Sequence, residues 1–436
     1  MNFKNKLPFF FFLSNKNFGI LFICSLILLL LQMYLNTGTL SAYAVSLLNP
    51  TEAEGYIVNY DYKHYECNYN FIIGESADKW SWGWVLRREL FYILSYPLFK
   101  LFGFYIGGLL SAMIINLISF YFFIKFIYKN MGLQSAYITT VILASYPGIM
   151  YWIGSPFAQV MIVPCCCWVY VLVWKMSKTD ELKKHVCYLA IISLLFTAYD
   201  LFIFFYPAIL LIYFKHKQWK KIAVSLPIMI TPQVLIVLWF SSFGVTELGS
   251  ENSGLYLKII QSYIYVQDFA SWFEMMFLAP KYLLSNFLDS NFLFLPLLFI
   301  IFLILGWHKK IGLDEIELSI LFCAFLVFLF TNMAPYVMGD TQLRGEWIAR
   351  IYQPIFIVML MYIVRFSSQV LQEKLVQRKY IIGLITACVA FNLAINMGGI
   401  FGSSLTQRAW YRFYMHAPQN TMTENLEKYG VRPVGF

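Results

Sequence analysis

Residues 186–213, VCYLAIISLLFTAYDLFIFFYPAILLIY, form an apolar run that is interrupted by Asp200. A membrane-spanning helix needs about 20 apolar residues, so the run is too long for one span. Its flanks carry the lysines Lys183, Lys184, Lys215, Lys217, Lys220 and Lys221. Since Lys and Arg gather on the cytoplasmic side of membranes, both flanks belong on one side. The run therefore predicts two short helices that meet near Tyr199 and Asp200, with a re-entrant segment as the alternative.

The composition of the whole chain extends this interpretation. Of the 436 residues, 60% are hydrophobic and 13% are charged, whereas a soluble domain carries about 25% charged residues. Such a chain cannot be a soluble enzyme, a disordered protein or a fibrous protein, and its apolar runs lack the alternation of β-barrel strands. The predicted fold class is an all-α polytopic membrane protein, with about eleven transmembrane helices and interfacial helices on the outer face.

Charge counting orients the spans. Three lysines precede the first apolar run, Phe18–Asn36, and place the N-terminus in the cytoplasm. The segments then assigned to the inside hold 19 Lys/Arg and 6 Asp/Glu, a net charge of +13. The outside segments hold the remaining 13 Lys/Arg and 17 Asp/Glu, a net charge of −4. The net charge of +9 is therefore a topology signal and not a nucleic-acid footprint. We predict one membrane domain, residues 1–400 with an outer loop at 37–103, and an outer tail, residues 401–436, in the inner (plasma) membrane of a bacterium.

The first outer loop carries carboxylates among aromatic residues. Carboxylates accept hydrogen bonds from hydroxyl groups, and aromatic faces pack on the C–H faces of sugars, so this composition suits a carbohydrate. An aromatic belt beside an ordinary solvated loop is an equally good explanation. The acids of this loop are Glu52, Glu54, Asp61, Glu66, Glu75 and Asp78.

Arginines mark two places where an outer segment meets the membrane. Arg87, Arg88 and Glu89 open the apolar stretch Leu90–Gly103, which predicts an interfacial helix before the second span. These arginines either bind a lipid phosphate or simply extend to the headgroups as anchors. Arg344 and Arg350 flank the outer mouth of a later span, where Arg350 either pairs with Glu346 or holds an anionic ligand.

Other chemistries find little support in the sequence. The five histidines lack metal-ligand spacing, and the eight cysteines lie mostly in apolar runs, so neither a metal centre nor a disulfide framework is predicted. Nucleotide-binding and hydrolase motifs are also missing. Asp200 is best explained as a cap on the second of the two short helices.

The order of these parts resembles the GT-C superfamily of membrane glycosyltransferases, which use polyprenyl-phosphate-linked sugars. Residues 91–103, FYILSYPLFKLFG, look like the family's segment leading into span two, and residues 145–152, SYPGIMYW, look like the outer end of its span three. Residues 349–354, ARIYQP, resemble its late arginine-tyrosine-proline segment. The resemblance covers roughly the first 210 residues and the region around 335–365.

The resemblance implies transfer of one sugar from a polyprenyl phosphate to a glycan, lipid or protein acceptor. Family members commonly carry a pair of acids followed by Tyr early in the first loop. The nearest matches here make Glu54 or Asp61 the base, and Arg88, Arg344, Arg350 and Tyr352 the donor-phosphate site. No metal ligands are assigned, and a divalent cation is left open. The expected partners are the lipid-linked donor, its acceptor and membrane lipids, without nucleic acid.

Two rival functions fit the same composition. A polysaccharide polymerase or ligase also has about a dozen spans and outer arginines, but it usually carries its acids and arginines in later loops. A lipid-linked-sugar flippase or another transporter is the non-enzymatic rival. Transporters place polar residues at mid-membrane and often show an internal repeat, and this chain shows little of either.

Overall fold

The computed structural model describes residues 88–146, 158–199, 201–242, 294–331, 353–373 and 375–401, together with residues 19 and 23. The elements within these ranges are helical, and a 3₁₀ turn (Ala158–Met161) precedes α3. The all-α class is therefore confirmed for the described residues. The helices are α1 (Glu89–Met131), α2 (Leu133–Ser145), α3 (Ile162–Ser177), α4 (Leu182–Leu195), α5 (Phe202–Lys215), α6 (Trp219–Ser242), α7 (Phe294–Lys309), α8 (Glu315–Thr331), α9 (Gln353–Glu373) and α10 (Leu375–Phe401).

Helix α1 consists of two arms joined at Gly103, whose φ of 76° lies in the region that favours glycine. The first arm buries Phe91, Tyr92 and Phe99 on one face and exposes a second apolar face that includes Leu101, 73% exposed. The second arm contains the apolar segment Leu110–Met131, which is long enough to cross a membrane. The prediction of a separate helix over Leu90–Gly103, ahead of the span, is confirmed.

The stretch 186–213 forms parts of two antiparallel helices, α4 and α5, joined by a turn over residues 196–199. His185, near the start of α4, lies 2.8 Å from the hydroxyl of Tyr213, near the end of α5. Its other ring nitrogen lies 3.1 Å from the Ser225 hydroxyl, which donates to the Lys221 carbonyl. These contacts place both flanks of the stretch on one side of the bundle. The paired-helix prediction is confirmed; Asp200 lies outside the described residues.

Helix α9 lies at the centre of the bundle. Every side chain from Phe356 to Val364 is at most 2% exposed, as expected for a helix that is apolar on all sides. It packs against α2, α3, α7, α8 and α10. At Gly306 a Cβ atom would collide with the Tyr362 hydroxyl, so α7 approaches α9 closely because this residue is glycine.

Contacts at the helix tips define two ends of the bundle. At the Glu89 end, the Leu90 amide donates to the Thr197 carbonyl (3.4 Å), so α1 starts beside the turn after α4. The start of α3, the end of α2 and the start of α9 share this end. At the Glu315 end, Lys215 and His216 lie 3.0 and 2.8 Å from the Glu315 carboxylate. In the predicted topology the Glu89 end faces outward and the Glu315 end faces the cytoplasm.

A charged network fastens α8 to α9 at the Glu315 end. Asp314 and Glu317 form a capping box, in which each carboxylate accepts a hydrogen bond from the other's backbone amide (2.8 and 2.9 Å). Arg365 of α9 binds the Glu317 carboxylate at 2.7 Å and the Asp314 carboxylate at 3.3 Å. The Glu317 side chain is 1% exposed, so its charge depends on this arginine.

Two helical segments of the described residues are long and apolar enough to cross a membrane, Leu110–Met131 and Gln353–Leu371. Five further apolar helices are shorter, between 10 and 17 residues. Around the bundle, α4, α6, α7 and α8 expose large apolar side chains such as Leu194, Leu238, Ile304 and Phe325. The described structure thus supports membrane association, while the count of about eleven spans stays a prediction.

The sidedness of the bundle leads to the first testable prediction. Gln218 lies in the turn between α5 and α6, at the Glu315 end. The background is a variant with Cys67→Ser and Cys187→Ser, into which one new cysteine is introduced at a time. In intact cells, a membrane-impermeant thiol reagent should label Asn68→Cys and Asn420→Cys but not Gln218→Cys. Gln218→Cys should react once the membrane is permeabilised. Labelling of Gln218→Cys from outside would overturn the orientation.

Candidate functional site

The candidate site lies at the Glu89 end of the bundle, where the first arm of α1 begins. Arg88 precedes the helix and is only 7% exposed. Its guanidinium carbon lies 4.1 Å from the centre of the Tyr199 ring, which belongs to the turn after α4. Stacking on an aromatic face holds a guanidinium plane in a fixed orientation. Arg88 is therefore a buried cation with a fixed orientation.

Glu89 follows directly and is 1% exposed. Neither carboxyl oxygen has a hydrogen-bond partner. Burial raises the pKa of this carboxyl well above its usual value, because transfer from water penalises the charged form. Glu89 is therefore a buried carboxyl group without a hydrogen-bond partner, directly after Arg88 in the sequence.

The start of α1 is held from two sides. The hydrogen bond from the Leu90 amide to the Thr197 carbonyl ties it to the end of α4. Beneath it, the rings of Phe91, Tyr92 and Phe99 pack against one another with centroids 5.3 to 6.1 Å apart. These contacts fix the backbone from which Arg88 and Glu89 project, and such support gives a site its geometry.

A second pair of side chains brings the start of α9 to the same end. The Tyr146 hydroxyl, just after α2, donates to the Gln353 side-chain oxygen at 2.8 Å. The Tyr146 ring also stacks on Phe356 with centroids 3.8 Å apart. Gln353 directly follows Tyr352 in the sequence. The first residues of α9 are thus locked to the end of α2.

Of the site residues predicted from sequence, the structure places Arg88. Glu54, Asp61, Arg344, Arg350 and Tyr352 lie outside the described residues, so their predicted roles stay predictions. The structure adds Tyr199 and Glu89. The sequence showed Glu89 only as the neighbour of two arginines, and its burial without a partner became visible when the bundle was assembled.

No group of three or more His, Cys, Asp or Glu side chains gathers within the described ranges in a way that could hold a metal ion. The six described cysteines carry free thiols. His185 is occupied by Tyr213 and Ser225, and His216 pairs with Glu315. Among the described residues, the chemistry of the site therefore belongs to Arg88, Glu89 and the surrounding tyrosines.

This arrangement suits an anion that carries hydroxyl groups. A guanidinium presents a planar fork of donors that matches phosphate oxygens. A neutral carboxyl group offers one O–H donor and acceptor lone pairs, and aromatic rings offer apolar faces. Together, such groups can bind an anion or a hydroxyl-bearing molecule. No protein-family model, no curated protein and no solved structure matches this chain.

Proposed function

We propose that this protein is an integral-membrane glycosyltransferase that moves a sugar from a polyprenyl-phosphate donor to an acceptor on the outer face of the membrane. The observation that carries the proposal is the buried pair Arg88 and Glu89 at the start of the first arm of α1. This arm exposes an apolar face, as a helix lying at the membrane surface does. A polyprenyl phosphate presents its headgroup at the same depth.

The bundle supports the membrane setting of this proposal. Its perimeter exposes large apolar side chains on several helices, the reverse of a water-facing surface and the pattern expected where lipid is the solvent. Lysines cluster at the Glu315 end, where α3, α5 and α7 finish with Lys175, Lys215 and Lys309 in their last turns. By the positive-inside rule, this distribution supports a cytoplasmic position for that end and an outer position for the candidate site.

The proposed chemistry is a single displacement. A carboxylate of the first outer loop, Glu54 or Asp61, takes the proton of the acceptor while the acceptor atom bonds to the anomeric carbon. The bond from that carbon to the phosphate oxygen breaks, and its electron pair leaves with the polyprenyl phosphate. Arg88, with Arg344 and Arg350, stabilises the leaving phosphate. One displacement inverts the anomeric configuration.

The second prediction concerns the phosphate site. Arg88→Ala should weaken donor binding by about tenfold to a hundredfold, because a charge-assisted hydrogen bond contributes about 1.5–3 kcal/mol. Arg88→Lys should restore only part of the affinity, since an ammonium lacks the planar fork and the stacking on Tyr199. Binding of a polyprenyl-phosphate sugar to the purified, folded variants measures both effects. Lys100→Ala, on the exposed face of the same arm, is the matched control.

The same test applies to the later outer segment. Arg344→Ala and Arg350→Ala should each weaken donor binding, and Tyr352→Phe should have a smaller effect, because it keeps the ring. If Arg350 instead forms a structural pair with Glu346, Glu346→Gln will destabilise the protein as much as Arg350→Ala does. Unchanged donor affinity in the Arg88, Arg344 and Arg350 variants would disprove the phosphate assignment.

A direct assay separates this proposal from its rivals. Purified protein in lipid vesicles should consume a monosaccharide linked to undecaprenyl phosphate when acceptors are supplied, with release of undecaprenyl phosphate. Use of long lipid-linked oligosaccharides alone would favour a polymerase or ligase. Movement of the intact lipid-linked sugar across the vesicle membrane, without bond cleavage, would favour a flippase.

A further inference from the structure

At the Glu315 end of the bundle, helices α5 and α7 finish in the same way. Lys217 and Lys310 follow them with φ of 55° and 58°, and no other non-glycine residue of the described ranges has a positive φ. In both turns the lysine amide donates to the carbonyl three residues earlier, and the next amide donates to the carbonyl five residues before it, at 2.9 to 3.2 Å. This pattern is the Schellman motif, whose left-handed position is usually occupied by glycine.

A lysine at this position needs a physical reason. In left-handed backbone the Cβ atom of an L-residue crowds the following carbonyl oxygen, a strain that glycine avoids. A cation does compensate the partial negative charge at a helix C-terminus. That role is already filled in ordinary helical backbone, because Lys215 lies in the last turn of α5 and Lys309 in the last turn of α7. The two strained lysines are therefore best explained by a partner outside the helices.

An exposed tryptophan lies close to each of these lysines in the sequence. Trp219, at the start of α6, is 58% exposed, and Trp307, near the end of α7, is 85% exposed. From each tryptophan a stripe of exposed apolar side chains runs along one face of its helix, at spacings of three, four or seven residues. The stripes continue with Leu226, Ile230 and Val234 on α6 and with Ile304, Ile300 and Leu297 on α7. Tryptophan is enriched at the headgroup level of membranes, so each turn places a cation at the headgroup end of an apolar stripe.

The charges of Lys217 and Lys310 are open to an external anion. Both residues are exposed, and the described side chains include no salt-bridge partner for either. The three acids around the start of α8 are already bound within the protein. Their contacts are those of Glu315 with Lys215 and His216, and those of Asp314 and Glu317 with Arg365.

We propose that the turns at Lys217 and Lys310 bind anionic phospholipids of the leaflet that surrounds the Glu315 end. Each lysine ammonium donates charge-assisted hydrogen bonds to the lipid phosphate, and the acyl chains lie along the apolar stripe below the tryptophan. In the predicted topology this is the cytoplasmic leaflet, whose anionic lipids attract basic residues next to a membrane span. The sites lie at the end opposite to the candidate functional site, so the inference is independent of the proposed function.

The experiment equilibrates the purified full chain with mixed micelles of phosphatidylglycerol and phosphatidylcholine and measures the lipids that remain bound. Wild type should retain phosphatidylglycerol in preference to phosphatidylcholine. The double variant Lys217→Gly with Lys310→Gly should lower this preference about fivefold, the contribution of a lysine near an anionic membrane surface. In neutral detergent without added lipid, the same variant should unfold at a midpoint about 2 °C higher, because glycine adopts this backbone without strain. The lysines thus favour lipid binding at the expense of stability.

A second pair of lysines gives the matched control. Lys175→Ala with Lys178→Ala removes the same charge from the same end, at the finish of α3. This helix contributes no large exposed apolar side chain, so its lysines lack a stripe for acyl chains, and the lipid preference should stay at the wild-type value. Added phosphatidylglycerol should also raise the unfolding midpoint of wild type, whereas inorganic phosphate at the same concentration should not.

Three results would overturn the assignment. An unchanged lipid preference in the glycine variant would leave both lysines without a lipid partner. An equal loss in the Lys175 and Lys178 variant would reduce the effect to net charge, and equal stabilisation by inorganic phosphate would exclude the acyl stripes. If the glycine variant fails to fold, Lys217→Asn with Lys310→Asn carries the same test, because asparagine tolerates left-handed backbone. Sugar transfer is measured separately, so failure of one proposal leaves the other standing.

Discussion

Glu54→Gln and Asp61→Asn should identify the base of the reaction, because one of them is expected to lower sugar transfer by about 100-fold to 10,000-fold, the usual contribution of general acid–base catalysis. Each substitution keeps the size and polarity of the side chain and removes the group that accepts the acceptor's proton. Donor binding should stay close to wild type. Release of undecaprenyl phosphate and binding of the donor, measured on the same preparations, check both expectations.

The first loop itself offers matched controls for this prediction. Glu66→Gln and Glu75→Gln remove acids from the same loop, and transfer should stay within about threefold of wild type if the base is specific. If both Glu54→Gln and Asp61→Asn retain wild-type turnover, the first outer loop is structural and the base assignment is wrong. A fall in donor affinity without a fall in turnover would assign these acids to binding instead.

Arg365→Ala should destabilise the fold by about 3–5 kcal/mol, because it leaves a buried carboxylate without its partner. Arg365 binds both Glu317 and the Gly312 carbonyl, at 2.7 and 2.8 Å. Loss of these contacts also frees the loop before α8 from the central helix α9. The midpoint of thermal unfolding in detergent and the free energy of unfolding in mild denaturant should both fall.

An exposed ion pair gives the control for this effect. Lys184 and Glu181 lie 2.6 Å apart with side chains 54% and 63% exposed, and such pairs contribute about 0–1 kcal/mol. Lys184→Ala should therefore be nearly neutral. The double variant Arg365→Met with Glu317→Leu should regain much of the stability lost in Arg365→Ala, since it buries no unpaired charge. A double variant no more stable than Arg365→Ala would show that the hydrogen bonds of Arg365 and Glu317, and not the cost of an unpaired charge, hold α8 to α9.

Several features of the fold follow from local sequence. The apolar run at 186–213 with lysines at both flanks predicts two short helices, and the contact between His185 and Tyr213 confirms that they are antiparallel. Gly103 ends the first arm of α1 because it adopts a φ of 76°. Periodicity and charge report such features directly, since the residues that determine them are neighbours in the chain.

The candidate site, in contrast, depends on contacts between residues that are distant in the sequence. Arg88 was recognised from sequence as a cation at a membrane boundary, yet only the assembled bundle shows it stacked on Tyr199, more than a hundred positions away in the chain. Likewise, the sequence alone does not distinguish Glu89 from Glu317, two acids beside apolar runs. The local sequence was enough to predict the all-α class and the paired helices around 186–213, which the described residues confirm. Only the folded bundle shows that Glu317 is paired and that Glu89 has no hydrogen-bond partner, because burial and hydrogen bonding depend on residues that folding brings together.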